Sequence, residues 1–134
     1  MTLRISLRDG EKVIVNGAVL SSIGRTDLRV ENGASVMRGR DVMTPEEANT
    51  PARRLYYACM MAYIDPNDLV AYQNEIIVRV RELMDALESP DAKAACARFA
   101  QKAAAGQFYR ALADCRWLIS YEAQALARLE LPAA

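Results

Sequence analysis

VENGASVMRGRDVMTPEEANTPARRLYYACMMAYIDP, residues Val30 to Pro66, changes character halfway along. Its first part holds an Asn-Gly turn between short apolar segments. Its second part holds Thr44-Pro45, Thr50-Pro51 and Asp65-Pro66, each an N-cap residue followed by proline at the first helical position. The stretch reads as the junction between a small β module and a helical module. The fold class that follows is α+β, with an N-terminal antiparallel β meander of about five strands packed with a C-terminal bundle of about four helices. The expected division is a β-rich module over 1–44, a helical bundle over 45–130 and a frayed tail over 131–134, all in one compact unit.

Toward the N-terminus, Asp9-Gly10, Asn16-Gly17 and Asn32-Gly33 suit two-residue hairpin turns, whose central positions need φ > 0. Leu3, Ile5 and Leu7 alternate with Arg4, Ser6 and Arg8, the period of a half-buried strand. Lys12–Val15 is expected to pair with Ala18–Ile23, and Asp27–Glu31 with Ala34–Arg38. So small a meander needs a lid, and the helical half is expected to supply it. Toward the C-terminus, Ser89-Pro90 starts another helix and Gly106 ends one, giving helices at 51–64, 66–88, 90–105 and 107–130. The second carries Leu69, Ile76, Val80, Leu83 and Leu87 as an apolar stripe, and the fourth carries Phe108, Leu112, Cys115, Ile119 and Leu126.

Composition narrows the function. The 134 residues hold 17 basic and 17 acidic side chains and no histidine. Residues 1–44 carry seven basic against five acidic residues, so the β module is slightly basic and the helices slightly acidic. A general nucleic-acid binder shows a stronger excess, because affinity grows with the phosphates neutralised. A focused site or a protein partner fits better. Lack of histidine removes the commonest general base and metal ligand. The widely spaced Cys59, Cys96 and Cys115 fall in helical patterns, as core thiols of a reducing cytoplasm would. Neither an enzyme, a metal site nor a cofactor site is expected, and no apolar run is long enough for a membrane span.

The candidate contacts are arginines. Arg4, Arg8 and Arg29 fall on the polar faces of expected strands, while Arg38 and Arg40 flank Gly39 at the junction. Arg53 and Arg54 open a helix where the dipole disfavours cations, so either a local carboxylate (Asp41, Glu46 or Glu47) or an anionic ligand must offset them. Arginine suits planar, bidentate contacts to phosphate, guanine or carboxylate. A solvated strand face is the plain alternative. No aromatic residue precedes Tyr56, so the sheet cannot stack bases as RNA-recognition sheets do. A second candidate surface is aromatic. Tyr56, Tyr57, Met60, Met61 and Tyr63 make the first helix apolar nearly all round, and Trp117 lies off the main stripe of the last. Tyr57, Met61 and Trp117 are the residues expected to face a protein partner.

GEKVIVNGAV (Gly10 to Val19), VENGASVMRGRD, MTPEEANTPARRLYY and IDP in the first half, with AGQFYRAL (Ala105 to Leu112) and LISYEAQAL (Leu118 to Leu126) in the second, together resemble the FlbT flagellar biosynthesis repressors. The resemblance implies cytoplasmic control of flagellar assembly. It implies binding to the 5′ untranslated leader of flagellin mRNA, repression of translation and promotion of message decay, in opposition to a companion protein, FlaF. Some members of that family instead support flagellin production. It assigns no RNA-contact residues. Two expectations follow. In one, the seven arginines contact leader RNA, with a homo-oligomer multiplying the contacts of a nearly neutral chain. In the other, the chain is a chaperone-like binder of flagellin or a FlaF-type protein, with the Tyr/Met-rich and Ala-rich helices forming its groove.

Overall fold

The computed structural model describes residues 3–130. Five strands come first: β1 (Leu3–Leu7), β2 (Lys12–Val15), β3 (Ala18–Ser21), β4 (Thr26–Val30) and β5 (Val36–Arg38). Single 3-10 turns at Gly39–Asp41 and Pro45–Glu47 lead into α1 (Pro51–Ile64), and another at Pro66–Asp68 leads into α2 (Leu69–Ala86). α3 (Pro90–Ala104) and α4 (Phe108–Glu130) complete the chain. The α+β class and the helix boundaries follow the sequence pattern closely. The expected tail, 131–134, lies outside the described residues.

The strand order departs from a meander. β1 pairs with β4 in a two-stranded sheet, while β3, β2 and β5 form a separate three-stranded one, all antiparallel. Of the expected hairpins, β2–β3 forms, with Asn16 at φ 50° and Gly17 at φ 84° as a type I′ turn requires. The expected β4–β5 hairpin does not form, for Gly33 takes no positive φ and the Asn32-Gly33 turn instead carries the chain between sheets. Asp9-Gly10 likewise links strands that do not pair. The reason is burial. A flat five-strand meander lidded by helices would leave one face wet, whereas the two-layer arrangement covers both faces of β2. Val13, with Val15 and Val36 beside it, packs under Ile5 and Leu7 from the β1–β4 sheet, while Ile14 and Met37 join the helical core.

α1 is the hub of the helical half, packed between α2 and α4 with the three-stranded sheet beyond it. This explains why it is apolar nearly all round: Leu55, Tyr56, Cys59 and Met60 are buried, and Tyr57, Met61 and Tyr63 pack half-buried against the core. Its start is doubly capped. Thr50 Oγ1 accepts the Arg53 N–H at 3.3 Å, and the Glu122 carboxylate, reaching from α4, accepts the Ala52 N–H at 2.8 Å. The Thr44 turn is closed by Glu47, whose carboxylate accepts both the backbone N–H and the hydroxyl of Thr44. Those bonds hold the Glu47 pKa below the ordinary carboxylate value.

Tyr63 joins the two modules. Its hydroxyl accepts the Val36 N–H at 2.9 Å and donates to the Val36 carbonyl at 3.0 Å, filling the outer edge of β5 where another strand would otherwise pair. Tyr56 donates to the Asp41 carbonyl at 2.6 Å, and the hairpin tip at Gly17 lies so close to the Ile64 carbonyl that an added Cβ would sit 3.1 Å from it. Replacing Tyr63 with Phe should lower stability by about 1–3 kcal/mol, because two backbone groups lose their partner. Urea unfolding reads the loss, and faster amide exchange at Val36 locates it.

All three cysteines are buried, free thiols. Burial pushes Cys59 up from the ordinary 9.0 to about 12 and raises Cys115 and Cys96 as well. The folded state therefore holds these thiols neutral, while the unfolded chain releases their protons above about pH 9. Stability from this source is complete below pH 9 and is lost as pH rises toward 12. The urea midpoint should be lower at pH 10 than at pH 8, and replacing Cys59 with Ala should shrink that difference.

A candidate nucleic-acid interface on the β module

Two turns and two strand ends bring distant residues to one place. β1 ends at Leu7, so Arg8 projects from its C-terminal end. Register places Leu7 opposite Thr26, which sets Arg25, just before β4, beside it. Arg38 ends β5, and the Gly39–Asp41 turn presents Arg40. Arg8, Arg25, Arg38 and Arg40 line a single open cavity of about 660 Å³, with Ser6, Leu7 and Glu11 completing the wall. Arg38 is half-buried and the other three guanidiniums are on exposed residues. None of the four lies within 4.0 Å of a carboxylate among the described residues.

The backbone that carries them is fixed. Glu11 accepts the Arg8 N–H at 2.8 Å, and Asp9 accepts the Gly24 N–H at 2.8 Å. The buried Ser22 donates to Thr26 at 2.8 Å, holding the bend that contains Arg25. Gly39 packs directly on β2. A Cβ there would meet the Lys12 carbonyl oxygen at 3.0 Å and its Cβ at 3.2 Å, so a side chain at 39 would push the turn that carries Arg40 off β2 by a few tenths of an ångström.

The other expected contacts fall elsewhere. Arg4 and Arg29 are direct cross-strand partners on the outer face of the β1–β4 sheet, both exposed, with Glu31 4.0 Å from Arg29. Opposed like charges destabilise a strand pair, and a bound anion would relieve them. Arg53 and Arg54 do not join the cavity. Arg53 reaches Asn49 at 3.5 Å and its charge acts on Glu47, one of the expected local carboxylates, while Glu122 binds the backbone of the same helix end. Asp41 pairs with Arg116 instead, at 3.8 Å. Arg54 borders a separate cavity of about 470 Å³ with Tyr57 and Tyr72. Arg25 was not among the arginines expected from the sequence. Its turn position carries no signal until the β1–β4 pairing is known.

The aromatic candidates are divided too. Trp117 is 44% exposed and stacks on Tyr121, with ring centroids 5.6 Å apart and planes 8° apart. Tyr57 and Met61 lie on α1, half-buried against the core. The Ala-rich α3 does not form a groove with α1. It packs on α4, and the apolar groove beside it, about 420 Å³, is bounded by α2 through Ile76, Ile77 and Val80 and by Ala100, Ala103 and Phe108.

Among the described residues no three His, Cys, Asp or Glu side chains converge as metal ligands, and no helix is long and apolar enough to cross a membrane. The model of the flagellar protein FlbT family matches residues 3–126. A relative in Caulobacter sp. (strain K31), named a probable flagellum biosynthesis repressor protein FlbT, is 39% identical over 94% of this chain and 97% of its own length. The Caulobacter vibrioides (strain ATCC 19089) flagellum biosynthesis repressor protein FlbT is 36% identical over 94% of this chain and 90% of its own length. The probable repressor of Rhodopseudomonas palustris (strain TIE-1) is 32% identical over 96% of this chain and all of its own length. No solved structure matches the chain. With the match spanning both the β module and the helical bundle, the chain belongs to the FlbT family of flagellar proteins.

Proposed function

We propose that this chain regulates flagellum biogenesis after transcription, by binding the 5′ untranslated leader of flagellin mRNA in the cytoplasm, repressing its translation and promoting its decay. The names of the relatives support a regulator of flagellum biosynthesis. The observation that carries the RNA reading is the cavity lined by four arginines and one acidic residue, Glu11. Such a surplus attracts phosphate, and arginine forks can also read guanine edges. The exposed Arg4–Arg29 pair extends the basic surface along the same module. The overall neutral chain keeps binding local, so affinity should rest on few phosphates and gain from an oligomer.

A second reading, action through flagellin or a FlaF-type protein, is favoured by the apolar α2–α3 groove, which leaves Ile77 49% exposed. The two separate when purified protein is titrated side by side with leader RNA, scrambled RNA and flagellin. Preferential, saturable leader binding supports direct RNA control. Tight flagellin binding without RNA preference moves regulation to the groove.

A further inference from the structure

We infer that the Arg8–Arg25–Arg38–Arg40 cavity is an oligophosphate site, built for two or more phosphoryl groups in a row rather than for the diesters of an RNA interior. The inference deepens the RNA reading and rests on it for one of two ligand sources. A diester carries a single charge, and the sugars between successive diesters spread those charges along a surface. The exposed Arg4–Arg29 pair on the open outer face matches that kind of ligand. The cavity is different. Among the described residues, four arginines with no carboxylate within 4.0 Å line one concave space of about 660 Å³, and Glu11 is the one acid in its wall. A charge surplus of that size in one volume suits a compact polyanion, because each guanidinium can fork onto phosphoryl oxygens. The 5′-triphosphate end of a primary transcript has this chemistry, and so does a free nucleoside polyphosphate.

Glu11 makes the inference testable in both directions. Its carboxylate is held in the wall by the Arg8 N–H, where it opposes an anionic ligand. Removing its charge should strengthen oligophosphate binding, while removing the Arg25 charge should weaken it.

The test titrates the full chain, at constant ionic strength, with inorganic tripolyphosphate, orthophosphate and a nucleoside triphosphate. Two leader RNAs follow, identical except for a 5′-triphosphate or a 5′-hydroxyl end. Tripolyphosphate should bind at least about tenfold more tightly than orthophosphate, the equivalent of one added charged contact. Arg25→Gln should cut that affinity about tenfold, Glu11→Gln should raise it, and Arg128→Gln, at an exposed residue outside the cavity wall, should leave it unchanged. A preference of about tenfold for the 5′-triphosphate leader makes the transcript end the source. Tight tripolyphosphate and nucleotide binding without that preference keeps the oligophosphate site and assigns it to a free nucleotide. Binding of both leaders with no tripolyphosphate binding overturns the inference and leaves the RNA reading standing. Equal affinity for tripolyphosphate and orthophosphate, or insensitivity to Arg25→Gln, overturns it as well. Retained tripolyphosphate binding with no binding of either RNA overturns the RNA reading alone.

Discussion

Reversing Arg38 and Arg40 together to Glu should reduce affinity for flagellin leader RNA by about 100-fold or more at low salt, while the protein keeps its fold. Each guanidinium lost removes a charged contact, and each carboxylate gained adds repulsion at the same place. Contacts of this kind are individually worth about 1.5–3 kcal/mol, and tenfold in affinity is about 1.4 kcal/mol. Both side chains belong to the cavity wall, and neither forms an ion pair with a carboxylate among the described residues, so folding loses no salt bridge by their removal. The fall should be uniform over sequences if the contacts are to phosphate, and selective if they are to guanine. Unchanged RNA affinity in a folded double variant would remove the cavity from the interface.

The second large effect is on stability. Replacing Phe99 with Ala should destabilise the protein by about 3–5 kcal/mol, a large part of what a domain of this size has. α3 buries Ala92, Ala95, Cys96 and Ala103, and these small side chains let it lie close against α4. Phe99 is the one bulky residue on that buried face and is fully enclosed. Its loss leaves a cavity that neighbouring alanines cannot collapse to fill. Chemical denaturation measures the drop, and retained RNA binding by the folded fraction would show that the β module acts apart from this packing. A loss below about 1 kcal/mol would mean that α3 packs less tightly than its geometry indicates.

The helical half was legible in the sequence because its signals are local. Thr50-Pro51 and Ser89-Pro90 fix helix starts within a few residues, and the structure places caps on both, from Thr50 to Arg53 and from Ser89 to Ala92. The β module was legible as strands but not as a topology. Turn chemistry at Asn16-Gly17 identified a real hairpin, but the same chemistry at Asn32-Gly33 marks a crossing between sheets. What decides between them is nonlocal: β2 is apolar at Val13, Ile14 and Val15, and needs cover on both faces. Consecutive apolar residues in a four-residue strand were the available signal.

The cavity shows the same division. Arg38-Gly39-Arg40 stood out as a motif, and Arg8 as a polar-face residue. Arg25 became visible only through the pairing of Leu7 with Thr26. At Arg53 and Arg54, the local carboxylate Glu47 lies within reach of the Arg53 charge, whereas Glu122, which caps the Ala52 N–H from 70 residues along the chain, is beyond local reading.

The most direct measurement of the central claim is equilibrium binding of the purified protein to flagellin leader RNA and to a scrambled control across a salt series. Saturable preference for the leader is expected, with a linear fall of log affinity with log salt. The slope should correspond to a handful of phosphates, set by the cavity and the Arg4–Arg29 face. Equal binding of both RNAs, or no binding at low salt, would contradict it.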